Sequence, residues 1–162
     1  MKANIAACIL AGLLTTTGAS AAECSSAAAE YVYSGNPALH ARIQPITKPG
    51  TGSALGVTLE DRSRGFKAWF IADKGSGSYS SLISVDDFTQ PAWHQPDPDA
   101  PRAIRDMPIF GWDQSLHVEE DLRSLKSAPQ FLFVPDLAEV VSHSIERPFL
   151  LAQGIFNRIS CR

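Results

Sequence analysis

The chain has 162 residues, 44% of them hydrophobic and 19% charged, with 14 Lys and Arg against 17 Asp and Glu and a formal net charge of −3. That length suits one domain able to bury its own core. Mild acidity without clustered Lys and Arg argues against a nucleic-acid or anionic-membrane binder, because both surfaces are held through grouped cations.

The N-terminus, "MKANIAACILAGLLTTTGASAAEC", carries Lys2, an apolar run from Ile5 to Leu14, and small residues ending in Ala19, Ser20 and Ala21. This is the three-part pattern of a cleaved secretory signal, too short in its apolar run to span a bilayer. The expectation is a signal peptide over residues 1–22, cleaved near Ala21 or Ala22, and a single globular domain over 23–162 that is periplasmic or secreted and has no membrane anchor. Cys8 superficially matches a lipid-attachment box but precedes the apolar run, and Cys24 follows a charged Glu23, so lipidation is not expected. Losing Lys2 with the leader takes the formal charge from −3 to −4 and leaves two of three cysteines, Cys24 and Cys161. In an oxidising compartment a residual pair predicts a disulfide tying the two ends of the mature chain.

In chain order, "AEYVYSG" and "LHARIQPI" read as short strands, with "CSSAAAE" open to a helical start and "KPGTGSA" a connection. "ALGVTLED" sets Leu55, Val57 and Leu59 on one face. "GFKAWFIAD" sets Phe66, Ala68, Phe70 and Ala72 on one face and Trp69 and Ile71 on the other, predicting a central strand covered on both sides. "YSSLISV" completes a three-stranded meander after the turn-forming "DKGSGS". Residues 86–108 are aperiodic and proline-rich, and read as loop.

The segment "SLHVEEDLRSLK" is ambiguous between helix and strand, with Val118, Leu122 and Leu125 on a helical stripe. "QFLFV" reads as a short buried strand. "PDLAEVVSHSI" then predicts a helix with Asp136 and Glu139 at capping-box spacing and Leu137, Val140, Val141 and Ile145 on its buried face. A last helix is predicted from Pro148 to about Ile159, with Phe149, Ala152, Phe156 and Ile159 on one stripe and Gly154 as its weak point. The expected fold class is therefore α+β, an antiparallel meander with one or two C-terminal helices.

No residue earns a catalytic role. GxSxG and SxxK are absent, and Gly75-Ser76-Gly77-Ser78 lacks the ending and the helix of a phosphate loop. His40, His94, His117 and His143 form no HExxH pair, and neither His117 with Glu119 and Glu120 nor Glu139 with His143 exceeds an ordinary local pair. No metal site and no cofactor are predicted. The stretch "QPAWHQPDPDAPR" is the candidate binding loop. Trp93 would be its apolar anchor and His94, Asp97 and Asp99 its polar partners, stiffened by prolines at 91, 96, 98 and 101. Against this stands a brace reading, in which Trp93 folds back over the sheet.

The functional expectation is a non-catalytic binding or inhibitor-type protein of the bacterial envelope with an envelope protein as partner. A hydrolase using carboxylates and a histidine, and a structural envelope component, stay open beside it.

Overall fold

The computed structural model describes residues 24, 28–47, 54–75, 77–97, 99–124 and 126–161. Residues 1–23, where the leader is expected, and residues 25–27, 48–53, Ser76, Pro98, Leu125 and Arg162 lie outside them. The elements run β1 (Ala29–Tyr33), β2 (Asn36–Ile46), β3 (Ala54–Asp61), β4 (Phe66–Asp73), β5 (Ser81–Val85), β6 (Met107–Pro108), β7 (Phe110–Trp112) and β8 (Val118–Glu119). A 3-10 turn (Leu122–Ser124), β9 (Phe131–Phe133), α1 (Leu137–His143) and β10 (Phe156–Cys161) follow.

All ten strands pair antiparallel in one sheet, in the order β6-β5-β4-β3-β2-β1-β10-β9-β7-β8. The sheet curls into a half-barrel. One length of chain ties its ends together: Met107 and Pro108 pair with β5, the Ile109 amide donates to the Ser80 carbonyl, and Phe110 to Trp112 pair with β9.

Period-two alternation explains the inside. Tyr31 and Tyr33 of β1, Leu39, Ala41 and Ile43 of β2, Leu55, Val57 and Leu59 of β3, Ala68, Phe70 and Ala72 of β4, and Leu82 of β5 join one buried cluster. Leu122, Leu132, Phe156 and the Leu137, Val140 and Val141 face of α1 close it. Phe66 is half-buried, its ring edge-on to Phe149 at 5.7 Å. The buried phenol of Tyr31 donates to the Pro129 carbonyl at 2.9 Å, and Tyr33 donates to Ala152 at 2.9 Å, so each polar tip brought inside is satisfied.

The α+β expectation is overturned. The chain is mostly antiparallel β, only 7% helical, and α1 is a single seven-residue helix. Residues 156–161, expected at the end of a second helix, form β10 between β1 and β9. Of the expected helical stripe only Phe156 is fully buried, while Ala152 and Ile159 are exposed. The reason is tertiary: β1 has an open hydrogen-bonding edge, and pairing there satisfies a full run of backbone groups that a helix would leave on β1 unmet. Gly154 serves this approach, since a Cβ there would sit 2.8 Å from Ser34 Oγ and 3.1 Å from the Gly35 nitrogen. The 113–126 segment also departs from the helix favoured for it, forming a connection, β8 and the 3-10 turn. At α1, Asp136 makes no side-chain cap bond; Arg105 lies 3.8 Å from Asp136 and 2.8 Å from Glu139, drawing both acids outward.

The predicted disulfide is present, joining Cys24 to Cys161 across 137 residues. No described helix is long and apolar enough to cross a membrane.

Candidate functional site

The curl leaves three different territories on the outside of the sheet. The first lies over β3, β4 and β5, where Ile46, Ile71 and Phe88 form a second small core flanked by Trp69, Ile83, Val85 and Trp93. The loop after β5 folds back to make it. Phe88 and Trp93 meet edge to face at 6.3 Å, and a Cβ at Gly56 would stand 2.7 Å from the Phe88 ring, so the glycine admits the cover. β4 is thereby covered on both faces, as its two-sided apolar pattern predicts.

This territory contains the predicted binding loop. Trp93 is half-buried in the cover, and His94 beside it is exposed. Both line a shallow depression of about 320 Å³ with Asp86, Asp87, Gln90 and Pro96. Asp97 and Asp99 do not join them. The Asp97 carboxylate accepts the Asp99 amide at 2.9 Å, and its carbonyl accepts the Ala100 amide and the Arg102 guanidinium, so Asp97 shapes its own turn. Asp99 is exposed. Trp93 thus packs as a brace, and the four residues do not converge on one point.

The histidine and carboxylate pairs resolve into local structure. His143 Nδ1 lies 3.1 Å from the Glu139 carbonyl, and the Glu139 carboxylate pairs with Arg105. Asp121 pairs with Arg123. No group of three or more His, Cys, Asp or Glu able to hold a metal occurs among the described residues.

The second territory spans β1 to β4 and is polar. Arg42 makes a two-bond contact with Glu30, at 3.0 and 2.7 Å, and His40, Glu60 and Lys67 stand in register on adjacent strands. Both signs of charge are interleaved, as on the solvated face of an antiparallel sheet.

The third territory is the one sequence reading missed. On β7 Gly111 points inward, which turns Phe110 and Trp112 outward, and on β9 Leu132 points inward, which turns Phe131 and Phe133 outward. The register sets Phe110 opposite Phe133 and Trp112 opposite Phe131. Ring contacts run continuously from Tyr79 to Phe110 (5.0 Å), Phe110 to Trp112 (6.2 Å) and Trp112 to Phe133 (6.3 Å). Val118, opposite Trp112 on β8, extends the patch and is 47% exposed, and Tyr79 is 50% exposed. Phe110, Trp112, Phe131 and Phe133 are half-buried, and the exposed Tyr79 and Val118 flank them. The signal was "FGW" and "FLF", two aromatic-x-aromatic triplets, whose convergence depends on β7 and β9 being neighbours.

Beyond Trp112 the chain turns through Leu116, the single non-glycine described residue with positive φ, at 64°. Its side chain is 68% exposed. Asp113 fixes the turn: its carboxylate accepts the amides of Ser115 at 2.7 Å and His117 at 2.9 Å and lies 3.1 Å from His117 Nδ1. The backbone N–H of His117, against slight desolvation and with help from the His117 ring and Ser115, holds the Asp113 carboxyl below its ordinary range. It is ionised at neutral pH, and the turn is locked. An apolar side chain is therefore displayed at the tip of a hydrogen-bonded hairpin beside a half-buried aromatic face.

Comparison with protein families, with curated proteins and with solved structures finds no match.

Proposed function

We propose that this chain is a non-catalytic binding protein of an exported, oxidising compartment and that it grips a protein partner through the β7–β8–β9 face. The carrying observation is the continuous run of exposed Tyr79 with the half-buried Phe110, Trp112 and Phe133, next to the exposed Leu116 on its fixed turn. A contiguous, partly exposed aromatic surface of this kind fits an interaction site, and aromatic side chains dominate the energetics of protein interfaces. The rings favour a protein over a glycan. Tyr79 and Phe110 are inclined at 58° and Trp112 and Phe133 at 39°, so they offer sockets between rings more than one flat stacking plane. A preset hairpin loses little conformational freedom on binding, which favours affinity. The disulfide and the leader-like N-terminus support the compartment.

The test is capture of partners by the tagged mature protein from an envelope extract, run beside Trp112→Ala and Leu116→Asp. Both variants are expected to lose a stoichiometric partner that the parent retains, and Leu116→Asp, at an exposed position, should do so with a melting temperature close to the parent's. Equal capture by all three would remove this face from the function.

A further inference from the structure

The sheet has an open end, where the β3–β4 turn, the segment around Ile104 and the residues following α1 meet. They enclose a depression of about 550 Å³. This is the volume range of small-molecule sites, and the mouth of a curled sheet is a common place for one. Its floor is apolar: Phe66 and Ile104 pack against the main core from the inner side, and Ile145 joins them from beyond α1. Ile104 is fixed there, because Ser84 Oγ donates to its carbonyl at 2.9 Å and accepts its amide at 3.2 Å.

The wall carries Arg64 and Arg147, and Lys67 borders it with its ammonium 5.3 Å over the Trp69 ring. Arg64 is held in place by Nη1, which donates to the buried Asp61 carboxylate at 2.7 Å, and by its stacking 4.9 Å over the Phe149 ring. Its Nε and Nη2 donate to no described residue, leaving one edge of the guanidinium for a ligand. Arg147 makes no ion pair among the described residues. Two cationic forks over an apolar floor run against the chain's net acidity. Glu146 stands on the same wall and adds one negative charge.

We infer that this mouth binds a small amphiphilic monoanion, a carboxylate with a short apolar body. The carboxylate meets the free edge of Arg64 and the Arg147 guanidinium in the bidentate geometry such pairs favour. The apolar body lies on Phe66, Ile104 and Ile145. Arg64, Lys67 and Arg147 against Glu146 and the Asp61 that pairs with Arg64 leave one net positive charge, which matches a carboxylate better than a dianionic phosphate ester. The site is separate from the aromatic face and carries its own ligand.

The experiment titrates the full, disulfide-bonded chain with octanoate, octanol and octyl phosphate by calorimetry and by amide chemical shifts. Octanoate should bind one per chain with a Kd of about 1 mM or below, the range for a ligand of its size. Octanol should bind roughly tenfold more weakly, the effect of losing a charge-assisted pair. Arg147→Gln, an exposed change that spares the fold, should weaken octanoate roughly tenfold and octanol hardly at all. Ile145→Asp should weaken both. Trp112→Ala should leave octanoate binding unchanged, which separates this site from the partner face. Absence of saturable octanoate binding, equal binding of octanol, tighter binding of octyl phosphate, or indifference to Arg147→Gln would each overturn the inference.

Discussion

Leu116 holds a backbone conformation that L residues other than Asn and Asp avoid, and it does so with its side chain in water. A left-handed non-glycine residue stores about 1–3 kcal/mol. Leu116→Gly should therefore leave stability unchanged or raise it by about 1 kcal/mol, the relieved strain being partly offset by the extra freedom of glycine in the unfolded chain. The same change should abolish partner capture. A urea melt that shows marked destabilisation would mean that the leucine is packed. Asp61 makes the opposite case, a charged residue brought inside. It is fully buried, and its oxygens accept from the Ser63 amide and hydroxyl, the Arg64 amide and guanidinium, and the Asn36 amide. Burial pushes its carboxyl up, but the hydrogen bonds from Ser63, Arg64 and Asn36 and the Arg64 charge outweigh that and leave it below its ordinary value. A depressed carboxyl stabilises the fold fully above its unfolded pKa of about 4 and loses that contribution as pH falls through the lower folded value. Asp61→Asn should lower stability at pH 7 and flatten the loss below pH 4, measured by melts from pH 7 to pH 2. An unchanged acid limb would clear Asp61 of this role. Neither residue stands out in the sequence: "DRSRG" joins two strands without saying what its turn buries, and Leu116 falls in "SLHVEEDLRSLK", whose helix-or-strand ambiguity hides the turn.

At the scale of elements, legibility followed locality. β3, β4 and β5 announce themselves because alternation and the turns between them are local, and Val57, Phe70 and Leu82 are buried as the pattern requires. Phe70→Ala should cost about 3–5 kcal/mol, the usual range for an emptied aromatic site in a core. α1 was legible for the same reason. β10 was not, because "PFLLAQGIFNRIS" has apolar residues at both periods and the deciding partner, β1, lies more than 120 residues earlier in the chain. The glycine that weakened the expected helix is the one that permits the strand. Gly154→Val should disrupt the passage of the chain past Ser34 and Gly35, where backbone atoms cannot give way, and should destabilise by about 2 kcal/mol or more. Retention of parental stability would show that the chain can pass there at a wider distance.

On the scale of the whole molecule, curl and closure are the properties a single sequence hides most fully. The segment from Met107 to Trp112 serves β5 with its first half and β9 with its second, and no local pattern in "MPIFGW" announces two partners. The same long-range pairing turns two unremarkable triplets into the aromatic face. The disulfide, by contrast, was legible by counting, because removal of the predicted leader leaves only two cysteines. Its place in the fold now fixes what it does. Cys161 ends β10 opposite Ala29 of β1, so the bond holds Cys24, which precedes β1, to the end of a strand that already pairs with β1. It acts chiefly on the unfolded chain, where closing a loop of 137 residues removes entropy equivalent to about 4–5 kcal/mol, an upper value for such bonds. Reduction, or the Cys24→Ser and Cys161→Ser pair, should therefore lower the melting temperature by about 10 °C or more at this chain size. Far-ultraviolet circular dichroism and near-ultraviolet aromatic signals at 25 °C should stay those of the oxidised protein, because the inner core and the ring contacts do not depend on the bond. Collapse of the near-ultraviolet signal on reduction at 25 °C would instead make the bond, and not the curled sheet, the element that holds the fold in its native form.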